Sequence, residues 1–186
     1  YDSGEYAAAF SRALELSEYD AWRELSRQQP QDGDTLIGVG LATVVKGSGA
    51  KVITLSEHSR VIVDPTGKVT VHTGVSPHGQ GTETTFAQIT ADMLGVTPAD
   101  VRVLHSDTDI LPVGGGTGAS RGLIAGGTSL HVVLQEAQQK LAAIAAHLLD
   151  CPQEDVALEG RLAFRKQDPQ QSVPFTRLAE AAYIEE

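Results

Sequence analysis

The chain has 186 residues, of which 41% are hydrophobic and 20% charged, enough for one ordinary domain or two small lobes with a real core, so disorder is not the default. Its 14 Lys and Arg against 24 Asp and Glu leave a net charge of -10, a poor grip for a phosphate backbone, whose affinity comes from cations that release counterions. Nucleic acid is excluded as a partner, and no apolar run approaches the roughly 20 residues of a membrane helix. The single cysteine, Cys151, permits no internal disulfide framework and no thiolate cluster. No signal peptide is legible at the N-terminus, so a reducing, cytoplasmic setting is expected. The chain starts at Tyr1, its only methionine is Met93, and Leu178 to Glu186 reads as a helix without a stop signal. The expectation is a piece of a longer chain.

Residues Tyr6 to Gln29 are helix formers, with Phe10, Leu14 and Trp22 on one apolar face. Pro30 to Asp34 is a polar turn that ends this helix. An N-terminal helical segment, 1–34, is therefore set apart from a segment 35–186. Strict alternation then places Ile37, Val39, Leu41, Thr43 and Val45 on one side of a predicted strand. Gly38 and Gly40 lie on the other side, which predicts a second face closely approached by something. Gly47-Ser48-Gly49 reads as a loop. A hairpin follows, with Val61 and Val63 leading into Asp64-Pro65-Thr66-Gly67 and Val69, Val71 and Thr73 leading out. Pro at the second turn position and Gly at the fourth suit a type I turn.

A helix of about four turns is predicted from Thr82 to Leu94, with Phe86, Ile89 and Met93 on its buried stripe. A longer one carries Leu130, Leu134, Ala137, Leu141, Ile144 and Leu148 at helical spacing. Each helix has a similar exit, since Leu94 to Val103 (LGVTPADVRV) resembles Leu149 to Leu158 (LDCPQEDVAL). Thr97, Pro98 and Asp100 read as a short capped turn leading into a strand. The fold class is α+β, with helices on mixed strands and a hairpin in repeated helix–turn–strand units.

A glycine loop precedes each of these two helices, Gly74 to Gly81 and Gly114 to Gly122. Unpaired N–H groups and the positive end of the dipole make a helix start the natural seat of an anion. Thr117, Ser120 and Arg121 add hydroxyls and a planar cation suited to phosphate. Neither loop matches a mononucleotide or dinucleotide fingerprint, and either could be a plain turn. His72, His78 and His105 lack the spacing of metal ligands. Asp107 and Asp109 read as caps for backbone N–H groups, and Cys151 as a buried, inert thiol.

In order along the chain stand Ser76-Pro-His-Gly-Gln-Gly-Thr-Glu-Thr-Thr-Phe-Ala-Gln-Ile89, Leu94-Gly-Val with Pro98 and Val101, Asp107-Thr-Asp, and Gly116-Thr-Gly-Ala-Ser-Arg121. This series resembles the large, molybdopterin-binding subunit of the molybdenum hydroxylases, the family of xanthine dehydrogenase, aldehyde oxidase and aerobic carbon monoxide dehydrogenase. The Pro-His-Gly-Gln-Gly form and the Ser-Arg pair are closer to the carbon monoxide dehydrogenase-like branch. Tyr1 to Tyr6 and Leu36 to Leu41 also resemble that branch. The resemblance implies that Gly79, Gln80 and Gly81 lie against the pyranopterin and molybdenum ligands, with His78 where xanthine dehydrogenases tend to carry Met. It implies that Thr117, Gly118, Ala119, Ser120, Arg121 and Gly122 cradle the pterin and phosphate end of the molybdenum–molybdopterin cofactor.

The reaction implied is hydroxylation of an aldehyde, N-heterocycle or related small molecule, or oxidation of CO, with water-derived oxygen. Electrons would leave through iron–sulfur clusters and FAD on other domains or subunits, which a chain with one cysteine does not hold itself. The implied partners are the remaining domains of the large subunit, those iron–sulfur and flavin carriers, and the substrate. The family's general-base glutamate and its other metal-facing loops are not among these residues, so no catalytic and no metal-ligating residue is assigned and the segment alone is expected to be inactive. The alternatives are a non-catalytic cofactor-binding or scaffold domain, and a structural domain whose loops are only turns.

Overall fold

In the computed structural model, residues 3–28, 35–48 and 56–184 are described. The turn expected at Pro30 to Asp34 lies outside them, as does Gly49 of the expected glycine loop. The chain divides into two compact units, Tyr1–Val45 and Lys46–Glu186.

In the first unit the expected single helix is two, α1 (Tyr6–Leu16) and α2 (Tyr19–Arg27). The helix tightens at its end, where Glu18 N donates to Glu15 O at 3.1 Å. The Ser17 hydroxyl bonds back to Leu14 O, and Glu18 then adopts φ 51, which ends the helical path. Neither helix buries a residue, and Phe10 and Trp22 of the expected apolar face are exposed. The alternating segment after them forms no strand among the described residues, and a Cβ on Gly38 or Gly40 would meet nothing within 4 Å. The expectation of a closely approached strand is thus corrected. Alternation marks a chain suited to a pleated sheet, but a strand exists only when a neighbour accepts its hydrogen bonds.

The second unit begins with the hairpin of β1 (Ser59–Val63) and β2 (Val69–Thr73), paired antiparallel. Its turn closes as the sequence predicts, with Gly67 N donating to Asp64 O at 2.8 Å and Gly67 at φ 78. The Asp64 carboxylate accepts from the Thr66 hydroxyl and from the backbone of Thr66 and Lys68, bonds that hold its carboxyl below the usual range. Helix α3 (Thr82–Leu94) then carries the chain over to β3 (Val101–His105), which lies parallel to β2. A parallel neighbour requires such a crossover.

Helix α4 (Thr128–Leu148) buries Leu130, Leu134, Leu141 and Ala145. It meets β1 and α3 along its length and β4 (Val156–Glu159) beyond its end. The antiparallel meander of β4, β5 (Leu162–Arg165) and β6 (Asp168–Pro174) forms a second sheet, and α5 (Phe175–Ile184) packs on α4. Val69, Val71, Phe86, Leu94, Leu134 and Phe175 share the core between these layers. The two similar helix exits are real, since each runs through a 3₁₀ turn, Pro98–Asp100 and Gln153–Asp155, into a strand. Their sheets differ, one mixed and one antiparallel, so the likeness is local.

Asp100 joins the two sheets. Its buried carboxylate accepts from Lys68 Nζ at 2.7 Å beside the first hairpin and from Arg161 Nη1 at 2.6 Å in the β4–β5 turn. It also caps Thr97, from the backbone N and from the hydroxyl. The bonds from Lys68 and Thr97 hold its carboxyl far below the usual range. The native state therefore binds fewer protons here than the unfolded chain, and stability is lost as pH falls below the ordinary Asp value of about 4. Asp100→Asn is expected to cost about 1–3 kcal/mol at neutral pH and to flatten that acid limb. Urea unfolding at several pH values checks both.

Candidate functional site

The two glycine loops meet. The first leaves β2 at Gly74 and ends at Gly81, the residue before α3; the second runs from Gly114 to Arg121 and enters a π-helical turn, Gly122–Gly127, that continues into α4. The sequence places the second helix but not this wider turn, a feature that recurs at functional sites. Close packing requires a glycine within it, because a Cβ on Gly126 would stand 2.3 Å from Val75 Cγ2.

Gly116 N donates to Gly74 O at 3.2 Å, and the Thr117 hydroxyl donates to Ser76 O. At the back of the loops the Cα atoms of Gly74 and Gly114 nearly touch, since a Cβ on Gly74 would lie 2.5 Å from Gly114 Cα. At the front the glycines differ. A Cβ on Gly79 or Gly81, both at positive φ, would point into open space. Those two supply backbone conformations and a bare approach to whatever lies before them. Gln80 is exposed, and its side chain folds back along its own loop, its Oε1 accepting from His78 N and its Nε2 donating to Thr82 Oγ1 at 3.0 Å. Neither α3 nor the π-helical turn has a side-chain cap from the residue before it, Gly81 or Arg121.

Ala119 and Ser120 stand at φ 46 and 57, a left-handed pair of non-glycine residues that the surrounding bonds must hold. Ser120 is exposed and Gly118 half-buried. A Cβ on Gly122 would meet only Val75, at 3.7 Å. The Arg121 side chain lies on the opposite side of its loop, wholly buried against Glu57. A hollow of about 160 Å³ between the loops is lined by Gly74, Ser76, Ser106 and Asp107 among others. Pockets for drug-sized ligands run to roughly 300–1,000 Å³, so the loops form one wall of a site, not a closed pocket. Larger hollows, of about 640, 580 and 440 Å³, flank α4, and one of about 460 Å³ lies along α1 and α2; none of them is lined by either loop.

The remaining candidates do not join the site as a cluster. His72 is buried on β2, His78 is exposed, and His105 Nε2 faces Glu83 Oε1 at 3.3 Å. Among the described residues no group of three or more His, Cys, Asp or Glu is placed to hold a metal ion. Asp107 Oδ1 accepts from Asp109 N at 3.0 Å, the expected capping role. Cys151 is half-buried against the core. Glu57 and Ser106 were not legible as site residues: Glu57 stands in no motif, and Ser106, at φ 60, bonds Ser76 across the loops at 2.7 Å.

Two backbone-rich loops, hydrogen-bonded to each other and each leading into a helix start without a side-chain cap, make up this wall. The chain belongs to the molybdopterin cofactor-binding domain family, whose model matches residues 12–186. It is 32% identical over 181 residues to the 6-hydroxypseudooxynicotine dehydrogenase complex subunit gamma of Paenarthrobacter nicotinovorans, covering 97% of this chain and 22% of that one. It is 31% identical over 169 residues to the carbon monoxide dehydrogenase large chain of Hydrogenophaga pseudoflava, covering 86% of this chain and 21% of that one. The crystal structure of quinoline 2-oxidoreductase from Pseudomonas putida 86 superposes with a TM-score of 0.68 at 31% identity, over 99% of this chain and 24% of that chain. The chain thus spans about a fifth to a quarter of the length of these relatives. Among the described residues no helix is long and apolar enough to cross a membrane.

Proposed function

We propose that this chain supplies two adjoining loops of the molybdopterin cradle in the cofactor-binding subunit of a molybdenum hydroxylase. The observation that carries this reading is the juxtaposition of the two glycine loops, hydrogen-bonded through Gly116 and Gly74, at two uncapped helix starts. The residues fit the group. Open backbone at Gly79 and Gly81 lets a flat ring system approach, and uncapped N–H groups suit a phosphate. Gly79, Gln80 and Gly81 would line the pterin side. Thr117, Gly118, Ala119, Ser120, Arg121 and Gly122 would hold the phosphate end, through loop backbone N–H groups and the Ser120 hydroxyl, with Arg121 N closing the loop on Gly118 O at 2.9 Å. The Thr117 proton is committed to Ser76, which leaves its oxygen as an acceptor.

When bound, molybdenum supplies the redox chemistry that hydroxylates an aldehyde, N-heterocycle or related small molecule, or oxidises CO. The chain's own residues bind and orient, and no general base is assigned to them. Iron–sulfur and flavin carriers on other domains or subunits would take the electrons, in the cytoplasm. In the intact subunit, Gln80→Ala and Ser120→Ala are each expected to lower molybdenum and pterin content by about tenfold. Metal analysis and oxidised-pterin fluorescence check this; full occupancy in both variants would overturn the assignment of these loops.

A further inference from the structure

We propose that Glu57 and Arg121 form a positioning clasp that fixes the spacing of the two glycine loops, an inference that rests on the molybdopterin reading above. The pair is closed to solvent, with side-chain exposures of 3% for Glu57 and 0% for Arg121. Arg121 Nη1 donates to Glu57 Oε2 at 2.6 Å and to Gly116 O at 3.1 Å. The same carboxylate oxygen accepts from Gly115 N at 3.2 Å, and Oε1 accepts from His58 N at 3.3 Å. One ion pair therefore touches the entry to β1, the second loop at two residues, and the start of the π-helical turn.

It touches the first loop as well. A Cβ on Gly74 would stand 2.3 Å from Glu57 Oε1, and a Cβ on Gly115 would stand 2.1 Å from Arg121 Nη1. A Cβ on Gly115 would strike the clasp, and one on Gly74 would strike both the clasp and the Gly114 backbone, whereas Gly79 and Gly81 face open space. The distinction matters for Arg121. A guanidinium with no exposed surface does not reach a ligand in front of the loops unless the pair opens. The pair is also neutral as a whole, so it adds no net charge to draw an anion, and recognition falls to the backbone dipoles it holds in place. Arg121 is a positioning residue through its side chain, and Glu57 is its partner.

The test uses the intact subunit with Glu57→Gln and the double variant Glu57→Gln/Arg121→Met. Molybdenum, pterin, unfolding temperature and amide exchange are measured for each. A clasp predicts about tenfold less metal and pterin in Glu57→Gln. It predicts that the double variant, with both buried charges gone, regains most of the unfolding temperature but not the cofactor. Amide exchange at Gly115 and Gly116 should rise about tenfold in both variants, with α3 and α4 unchanged. Undiminished or increased pterin in Glu57→Gln would show that Arg121 meets the anion directly once its competitor is removed, and would overturn the clasp. Cofactor regained together with stability in the double variant would reduce the pair to a structural role. If the unaltered subunit carries neither metal nor pterin, the molybdopterin reading fails, and amide exchange still decides the clasp: unchanged exchange at Gly115 and Gly116 overturns it.

Discussion

Arg121→Met is expected to lower the free energy of unfolding by about 3–5 kcal/mol, because it leaves the Glu57 carboxylate buried without its cation. That is a large share of the total of roughly 5–15 kcal/mol that holds an ordinary domain together. The magnitude follows from burial. An exposed pair would be worth about 0–1 kcal/mol, and the chain has such pairs in Arg12–Glu15 and Arg27–Glu24, with side-chain exposures of 54% or more. Glu57 has no comparable access to water, and it also serves Gly115 N and His58 N. Denaturant unfolding of Arg121→Met beside Arg27→Met separates the two regimes; equal, small losses would contradict the difference.

Gly95→Ala is the second large effect, expected to cost about 2–5 kcal/mol from a left-handed backbone and a forced displacement together. Gly95 ends α3 at φ 69, and its carbonyl accepts from Arg161 N at 2.6 Å. A Cβ there would stand 2.5 Å from the backbone carbon of Leu158. Backbone does not swing aside as the end of a side chain does, so the exit of α3 and the β4–β5 turn must separate. Arg161 carries the bond to Asp100, so the link between the sheets loosens with them. Gly160→Ala is the control: it shares a positive φ of 61 but its Cβ would meet nothing within 4 Å. Its loss should be limited to the conformational term, about 1–2 kcal/mol. Thermal unfolding of the two variants side by side makes the comparison.

Much of the second unit was legible because its local signals agree with its packing. The hairpin turn is written in Asp64-Pro65-Thr66-Gly67, and the bounds of α3 follow from Gly81 before it and Gly95 after it. The stripe from Leu130 to Leu148 faces the core as its spacing demands. In the first unit the same signals had no packing to enforce them. Helix formers from Tyr6 to Gln29 carry no breaker, yet the helix ends at Ser17, where a side-chain bond to the backbone competes with propagation. The alternation from Ile37 to Val45 is a strand pattern without a ladder among the described residues.

The loops were legible as a glycine-rich pair, one before each of two helices, and the ordered motifs carried the family. Their mutual arrangement was not. Nothing in spacing says that Gly74 and Gly114 nearly touch, or which glycines face each other and which face space. Glu57 was hidden for a general reason: a glutamate is exposed by default, and only its partner, distant in sequence, reveals why this one is not. Arg121 in a glycine loop suggested a phosphate ligand on chemistry alone, whereas burial turns its side chain to the back of the loop.

The most direct measurement is molybdenum and pterin per chain on the intact protein purified from its own cells. About one metal and one pterin per chain is the expected result for a cradle built on these two loops. An intact, folded protein with neither would contradict it, and the loops would then be turns in a scaffold.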